Sequence, residues 1–551
     1  MKKILAVAIT SLLFISCNTS QKVAYKQETK TPFVWESANV YFLLIDRFKN
    51  GNPSNDTIIK RDKPTGKLRG FEGGDIRGVI QKLDEGYFTD LGINVLWMTP
   101  VVEQIHGAVD EGTGNTYGFH GYWTKDWTAI DPSYGTKADL KELVDKAHAK
   151  GIRIMLDAVI NHTGPVTDLD PVFPNDWVRT SPKCTYKSYD TYINCTLVEN
   201  LPDVKTESNE NVELPPVLVE KWKKEGRYEQ EVAELDAFFA KTGYPRAPRY
   251  YIMKWLSDYI SDYGIDAYRV DTVKHTYENV WADFQKVCLM TFENYKSNNP
   301  SKVLDNTKFF TVGEVYGYNI GSKKLYDFGD RKVDYFANGF DGLINFDFRN
   351  EAKMKYQELY AKYNTILQTD LKNHTVMNYI SSHDDGYPYD KKREKTIESG
   401  TKLLLAPGIA QVYYGDESAR SLDIPGTEGD ATLRSFMNWD AISNNPITKE
   451  VLAHWQRLGQ FRAHHPAVGG GVHALISSSP YSFSRVYSKD NYTDKVVIGL
   501  ELNKGKKEIN VGNIFANGEK VRDAYSGRTA IIANGKAVID SDFTIILLEK
   551  I

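Results

Sequence analysis

The chain reads as an α/β protein: a (β/α)8 TIM barrel with an inserted lobe after strand 3 and a C-terminal antiparallel β-sandwich. Three observations predict this. Apolar β-type runs alternate with amphipathic helical stretches, the pattern of a parallel sheet. Several of these runs end in acids, bases or imidazoles: Asp157-Ala158-Val159-Ile160-Asn161-His162, Tyr268-Arg269-Val270-Asp271 with Lys274-His275, Val312-Gly313-Glu314, and Ser382-His383-Asp384, with Phe119-His120-Gly121-Tyr122-Trp123 and Leu201-Pro202-Asp203 placed among them. A parallel barrel needs such runs, because its strands are buried along their length and its site gathers at their C-terminal ends. After about Pro466 the pattern changes to short alternating runs separated by Asn-Gly and Lys-Gly turns, which suits a sandwich.

In chain order, Lys2-Lys3 and the apolar stretch Ile4 to Ile15 read as a signal peptide, too short to span a membrane as a helix. Phe14-Ile15-Ser16-Cys17 resembles a lipoprotein cleavage site, with phenylalanine where leucine is usual, so Cys17 is expected to carry lipid. The expected division is 1–17 signal peptide, 18–32 polar tether, 33–162 and 250–465 barrel, 163–249 inserted domain, and 466–551 sandwich. Eight strands are expected, at 40–46, 95–100, 152–161, 265–271, 309–315, 342–348, 376–382 and 409–414, with helices at 137–150, 250–263 and 396–405 between them. The interval from Thr163 to Arg249, rich in Pro, Asp and Tyr, is too long for a connection and reads as a lobe of its own.

With 551 residues the chain has room beyond a barrel, which takes about 250 residues plus insertions. Its net charge of −4, from 68 basic and 72 acidic residues, gives no electrostatic footprint for nucleic acid and suits a neutral substrate. The four cysteines have no zinc-ligand spacing. Cys184 and Cys195 flank a Tyr-rich stretch and could pair in an oxidising compartment, whereas Cys288 has the apolar neighbours of a buried helical residue.

Taken together and in register, these segments closely resemble the α-amylase family of retaining glycoside hydrolases, from about Asn39 to Trp455. Glu103-Gln104-Ile105-His106-Gly107, the stretch from Leu201 to Ser208 and Tyr414-Gly415-Asp416-Glu417-Ser418 look most like the periplasmic α-amylases of enteric bacteria. Retention needs one carboxylate to attack the anomeric carbon and one carboxylic acid to protonate the leaving oxygen. The resemblance implies that Asp271 is the nucleophile and Glu314 the general acid, with Asp384 as a third carboxylate gripping sugar hydroxyls. Arg269, two residues before Asp271, points to the same face and would keep it ionised. His120, His162 and His383 would bond hydroxyls of the sugar being cleaved, Tyr122 would stack on it, and Lys274 and His275 would reach the leaving side. Trp97, Met98 and Trp127 read as core.

The same resemblance implies Ca2+ at two places. Asn161, Asp203 and the backbone carbonyl of His275 would clamp the inserted lobe to the barrel with oxygen ligands. A second loop, with Asn50, Asn52, Asn55, Asp56, Gly73 and Asp75, is similar to a calcium loop of cyclodextrin glucanotransferases, although composition alone reads it as an Asn/Gly/Asp turn. Ser382 stands where chloride-dependent relatives carry asparagine, so chloride activation is not expected. The leading function is an endo-acting α-1,4-glucan hydrolase on starch, glycogen or maltooligosaccharides. The alternatives are an α-glucan transglycosidase, disfavoured by the single β-sandwich, and a non-catalytic glucan-binding lipoprotein, disfavoured by the intact Asp271, Glu314 and Asp384. The expected partner is the glucan alone. The expected state is a monomer, exported and anchored to the outer membrane facing the periplasm, or free in the periplasm.

Overall fold

Eight short strands of wholly buried residues close into a parallel barrel: β1 (Asn39–Leu43), β2 (Val95–Met98), β3 (Arg153–Ala158), β4 (Ala267–Val270), β5 (Phe310–Gly313), β6 (Gly342–Asn345), β7 (Thr375–Asn378) and β8 (Ile409–Tyr413). Each pairs with the next, and β8 returns to β1. This computed structural model describes residues 31–551. The expected signal peptide, Cys17 and the tether as far as residue 30 lie outside the described residues. No described helix is long and apolar enough to cross a membrane.

All eight expected strands are present, and most end earlier than the apolar runs do. The paired ladder stops where the chain turns outward, and the charged residues that follow sit just beyond it. Asp271 N–H still donates to Ala158 O at 3.0 Å and Glu314 N–H to Val270 O at 2.9 Å, so each acid prolongs its strand by one peptide. The β3–β4 register sets Asp157 opposite Arg269. The three expected helices are observed as Lys137–Ala149, Pro248–Tyr263 and Thr396–Leu404. The first starts on a capping box between Thr136 and Asp139, which satisfies end N–H groups that the helix cannot. The second starts on Pro248 and ends on Gly264 at φ +76°, a conformation that favours glycine.

Two insertions shape the mouth of the barrel. After β2, Val102–Gln104 pairs with Thr124–Ile130, and the loop between them carries His120 and Tyr122. After β3 comes the lobe, where Val178–Arg179 pairs with Asp203–Val204 and a disulfide joins Cys184 to Cys195. It also holds helices Pro216–Lys224 and Tyr228–Thr242, which the Pro- and Asp-rich composition conceals. Asp126, fully buried on the barrel side, accepts from Lys221 at 2.9 Å, Trp222 Nε1 at 3.2 Å and Arg227 at 2.7 Å, tying those helices to the hairpin. Cys288 is free and buried on its helix.

The C-terminal sandwich lays a six-stranded antiparallel sheet against the ribbon formed by Gly505–Asn510 and Lys536–Ser541. Val497, Ile509, Val521, Ile539, Ile546 and Leu548 fill the space between. At its junction with the barrel, His465 Nδ1 lies 2.8 Å from Asp494 and Nε2 2.7 Å from Glu549. Carboxylates only accept, so both ring nitrogens donate and the ring is an imidazolium. Burial alone would lower its pKa, but the two carboxylates push it up to about 9.

Candidate active site

The site is organised around one guanidinium. Arg269, 1% exposed, donates from Nη1 to Asp157 Oδ1 and Asp271 Oδ1, both at 2.8 Å, and Nη2 lies 3.1 Å from Glu314 Oε2. Three carboxylates from β3, β4 and β5 therefore share one buried cation, whose planar fork reaches them from two nitrogens. Thr272 N–H, from a residue at φ +49°, donates to Glu314 Oε2 at 2.8 Å and fixes that carboxyl further. Burial pushes the Glu314 carboxyl well above the usual range; Arg269 opposes this, while Asp271 and Asp384 add to it.

Asp384 is the most open of these acids, its side chain 28% exposed. Ser382 Oγ donates to it at 3.0 Å. Burial would raise its pKa, but His383, Arg269 and Arg434 together hold it below the ordinary value. The site thus contains one carboxyl biased toward the acid form beside another biased toward the carboxylate, the separation of roles that acid catalysis with a charged neighbour requires.

Around this centre the expected shell is brought together. Tyr122 donates from its hydroxyl to Asp157 Oδ2 at 2.9 Å, and its ring lies nearly parallel to those of His120 and His383, with centroids at 5.9 and 5.3 Å. Its N–H donates to His120 Nδ1 at 3.1 Å, which places the proton of the neutral His120 ring on Nε2. His162 Nε2 donates to the Tyr122 carbonyl at 3.1 Å. Lys274 and His275 lie to one side, each held by tyrosines, and burial brings the Lys274 ammonium down to about 8. A polar recess of about 350 Å³ opens beside His120, Tyr122 and Trp123, walled by Arg69, Glu111, Asp430 and Arg434.

Several of these residues are absent from the motif reading. Asp157 heads the segment Asp157 to His162, yet its role emerges only from the register that sets it against Arg269. A lone acid inside the apolar run Ile154-Met155-Leu156-Asp157-Ala158 is the signal that could have exposed it, since a buried carboxylate needs a cation. Arg69, Glu111 and Asp430, the last on the short 3-10 helix Gly429–Arg434, come from separate segments and carry no local pattern. Trp97, Met98 and Trp127 are buried, and Trp97 Nε1 also donates to Asp157 Oδ2 at 3.3 Å.

Among the described residues no group of three or more His, Cys, Asp or Glu side chains gathers to hold a metal. Both places expected for calcium rely instead on amide and carbonyl oxygens with few carboxylates. At the first, Asp203 is 3% exposed and faces only Arg179, whose Nε lies 3.1 Å away; burial, with Glu207 adding to it, pushes the acid up to about 8. Asn161 lies beside it across the His162–Asp203 bridge, its Oδ1 accepting from Thr276 Oγ1 at 3.2 Å. Arg179 also pairs with Glu207 and offsets the burial of Asp203 only in part, so a cation fits beside this acid. At the second, both amide atoms of Asn55 and Oδ1 of Asn50 are buried without partners. Gly73 sits so close to Asn50 and Asp56 that an added Cβ would meet them at 2.6 and 2.9 Å. Asp75 and Asn52 hold more local tasks: Asp75 accepts from Gly51, Asn52 and Gly78 N–H as a helix cap, and Asn52 Oδ1 accepts from Ser54. The unpartnered oxygens at this second place therefore belong to Asn50 and Asn55.

The chain is similar to known proteins over most of its length. A family model described as the α-amylase catalytic domain matches residues 42–445. The chain is 35% identical over 521 residues to the periplasmic alpha-amylase of Escherichia coli, covering 84% of this chain and 72% of that one. It is 25% identical to the cyclomaltodextrin glucanotransferase of Geobacillus stearothermophilus over 88% of this chain and 62% of the relative. Among solved structures, the α-amylase of Geobacillus thermoleovorans complexed with acarbose superposes with a TM-score of 0.64 at 22% identity, covering 94% of this chain and 99% of that one.

Proposed function

Because the chain belongs to the α-amylase family of glycoside hydrolases, we propose that it is a retaining, endo-acting hydrolase of α-1,4-glucans such as starch, glycogen and maltooligosaccharides. The observation that carries this reading is the sharing of Arg269 by Asp271 and Glu314. Asp271 attacks the anomeric carbon while Glu314, kept protonated by its burial, gives its proton to the departing oxygen. Glu314, now ionised, then takes a proton from water as that water attacks the same carbon and releases Asp271. Asp384, ionised and open to the cleft, bonds sugar hydroxyls and stabilises the positive charge that develops on the ring.

When bound, calcium supplies a hard cation that ties oxygen ligands of the lobe to those of the barrel. Asp203, Asn161 and the His275 carbonyl would hold it at the junction, and Asn50, Asn55 and Asp56 would hold it in the loop after β1. Transglycosylation is the second reading, favoured by the similarity to cyclomaltodextrin glucanotransferases. The test is a time-resolved product profile on maltoheptaose and amylose: hydrolysis gives new reducing ends in step with bond cleavage, transfer gives longer chains without them and replaces this reading with the second, and the absence of both kinds of product removes each. For location we infer a lipoprotein anchored through Cys17 and facing the periplasm. In that case the intact chain partitions with membranes and Cys17→Ala does not.

A further inference from the structure

Around Lys274 and His275, two segments distant in sequence are docked on each other. One is the loop closed by Cys184 and Cys195; the other is an antiparallel ribbon after β5, in which Leu325–Asp327 pairs with Lys332–Asp334. Phe328, at the ribbon's turn, meets the rings of Tyr189 and Tyr192 edge-on, both at 5.1 Å. Asp330 Oδ1 accepts from Tyr189 N–H at 2.8 Å, and the Arg331 guanidinium lies 4.1 Å over the Tyr189 ring.

This docked pair reaches both Lys274 and His275. The Tyr192 carbonyl accepts from His275 Nδ1 at 2.9 Å. A carbonyl only accepts, so the proton sits on Nδ1 and the Nε2 lone pair remains to accept from a hydroxyl. Lys274 Nζ stands 5.0, 5.3 and 5.6 Å from the rings of Tyr192, Tyr316 and Tyr326, and donates to Tyr316 O at 2.9 Å and to the Tyr326 hydroxyl at 3.3 Å. Two of its three N–H groups are thus spent on holding the ammonium in place, and one remains for a ligand. Loop and ribbon each supply one side of this cage, Tyr192 from the loop and Tyr326 from the ribbon.

We propose that the loop closed by Cys184 and Cys195 is a positioning element for the leaving-side sugar. Docked on the 325–334 ribbon, it presents Lys274 as a donor and His275 as an acceptor to the hydroxyls of the glucose unit that departs. The inference rests on the reading of the chain as an α-glucan hydrolase. It predicts that loosening the loop weakens cleavage of substrates whose leaving group is a sugar and spares those whose leaving group is not.

The experiment compares maltoheptaose with α-maltotriosyl fluoride, whose fluoride occupies no sugar position, in the Cys184→Ser/Cys195→Ser double variant and in Asp330→Ala. Asp330→Ala loses about one hydrogen bond, so kcat/KM on maltoheptaose should fall about five- to tenfold, and the cysteine variant, which loses a covalent tether, should fall at least as far, while that on the fluoride stays within about twofold in both. Asp330→Asn, which keeps an oxygen acceptor for Tyr189 N–H, should restore most of the loss. A parallel fall on both substrates, or an unchanged rate on maltoheptaose, overturns the proposal. A wild-type chain inert toward both substrates overturns instead the hydrolase reading beneath it.

Discussion

Arg269 and Asp271, two residues apart at the end of β4, point to the same side of the barrel, with Arg269 Nη1 2.8 Å from Asp271 Oδ1 and equally far from Asp157 Oδ1. One cation thus serves several buried acids. Removing one partner of a buried ion pair costs about 3–5 kcal/mol, because the other charge is left unpaired. Arg269→Gln should therefore lower the melting temperature and abolish starch hydrolysis. Arg269→Lys should recover little, since a single ammonium nitrogen lacks the planar two-nitrogen fork that spans Asp157, Asp271 and Glu314. Thermal melting and a reducing-sugar assay check this, and native-like values in Arg269→Gln would contradict it.

Glu314 supplies a pH prediction. Its pKa is raised, so the protonated, proton-donating form dominates below that value and disappears as pH rises through it. The rate on maltooligosaccharides should fall on the alkaline side. Glu314→Gln should remove that limb and lower kcat on starch by several orders of magnitude, yet still react with α-maltosyl fluoride, whose leaving group needs no proton. A pH–rate profile of kcat/KM for both substrates reads this out, and an alkaline limb persisting in Glu314→Gln would assign it to another group.

Calcium should act through stability. A ligand that binds only the folded chain at about a hundredfold over its Kd adds about 2.7 kcal/mol. Exhaustive chelation should then lower the melting temperature by several degrees, and added calcium should restore it. Asp203→Asn should melt lower and respond less to calcium. An identical melting curve with and without chelator would remove calcium from the account.

His465 links barrel and sandwich in a pH-dependent way. Its folded pKa of about 9 exceeds the ordinary 6.5, so its contribution is complete below 6.5 and disappears as pH rises through about 9. The shift corresponds to about 3 kcal/mol at most. His465→Gln should melt lower than wild type at pH 6, with the two curves converging above pH 9; a constant gap across that range would show that the imidazolium is not the cause.

How much of this was legible follows from what each residue type can signal alone. The eight strands stood out because a barrel strand is buried on both faces and reads as a continuous apolar run. Their ends did not, because the site residues that follow prolong the run past the last paired peptide. Asp271, Glu314 and Asp384 were legible from the motifs that contain them. Asp157 was not, since its meaning lies in the β3–β4 register. The recess of Arg69, Glu111 and Asp430, the clamp of His465 by Asp494 and Glu549, and the docking of Phe328 on Tyr189 and Tyr192 all join residues dozens to hundreds of positions apart. No local pattern announces such pairs; only the closed fold brings them into contact.

The central claim is that Asp271 forms a bond to the sugar and Glu314 moves the proton. Attack by Asp271 on an α-linked glucan inverts the anomeric carbon once, and water inverts it again. Proton NMR of the anomeric region during the first minutes of maltooligosaccharide hydrolysis, before mutarotation, tests this directly. The account predicts that the first-formed reducing sugar is the α-anomer; initial accumulation of the β-anomer would mean a single displacement by water and would contradict the roles given to both residues.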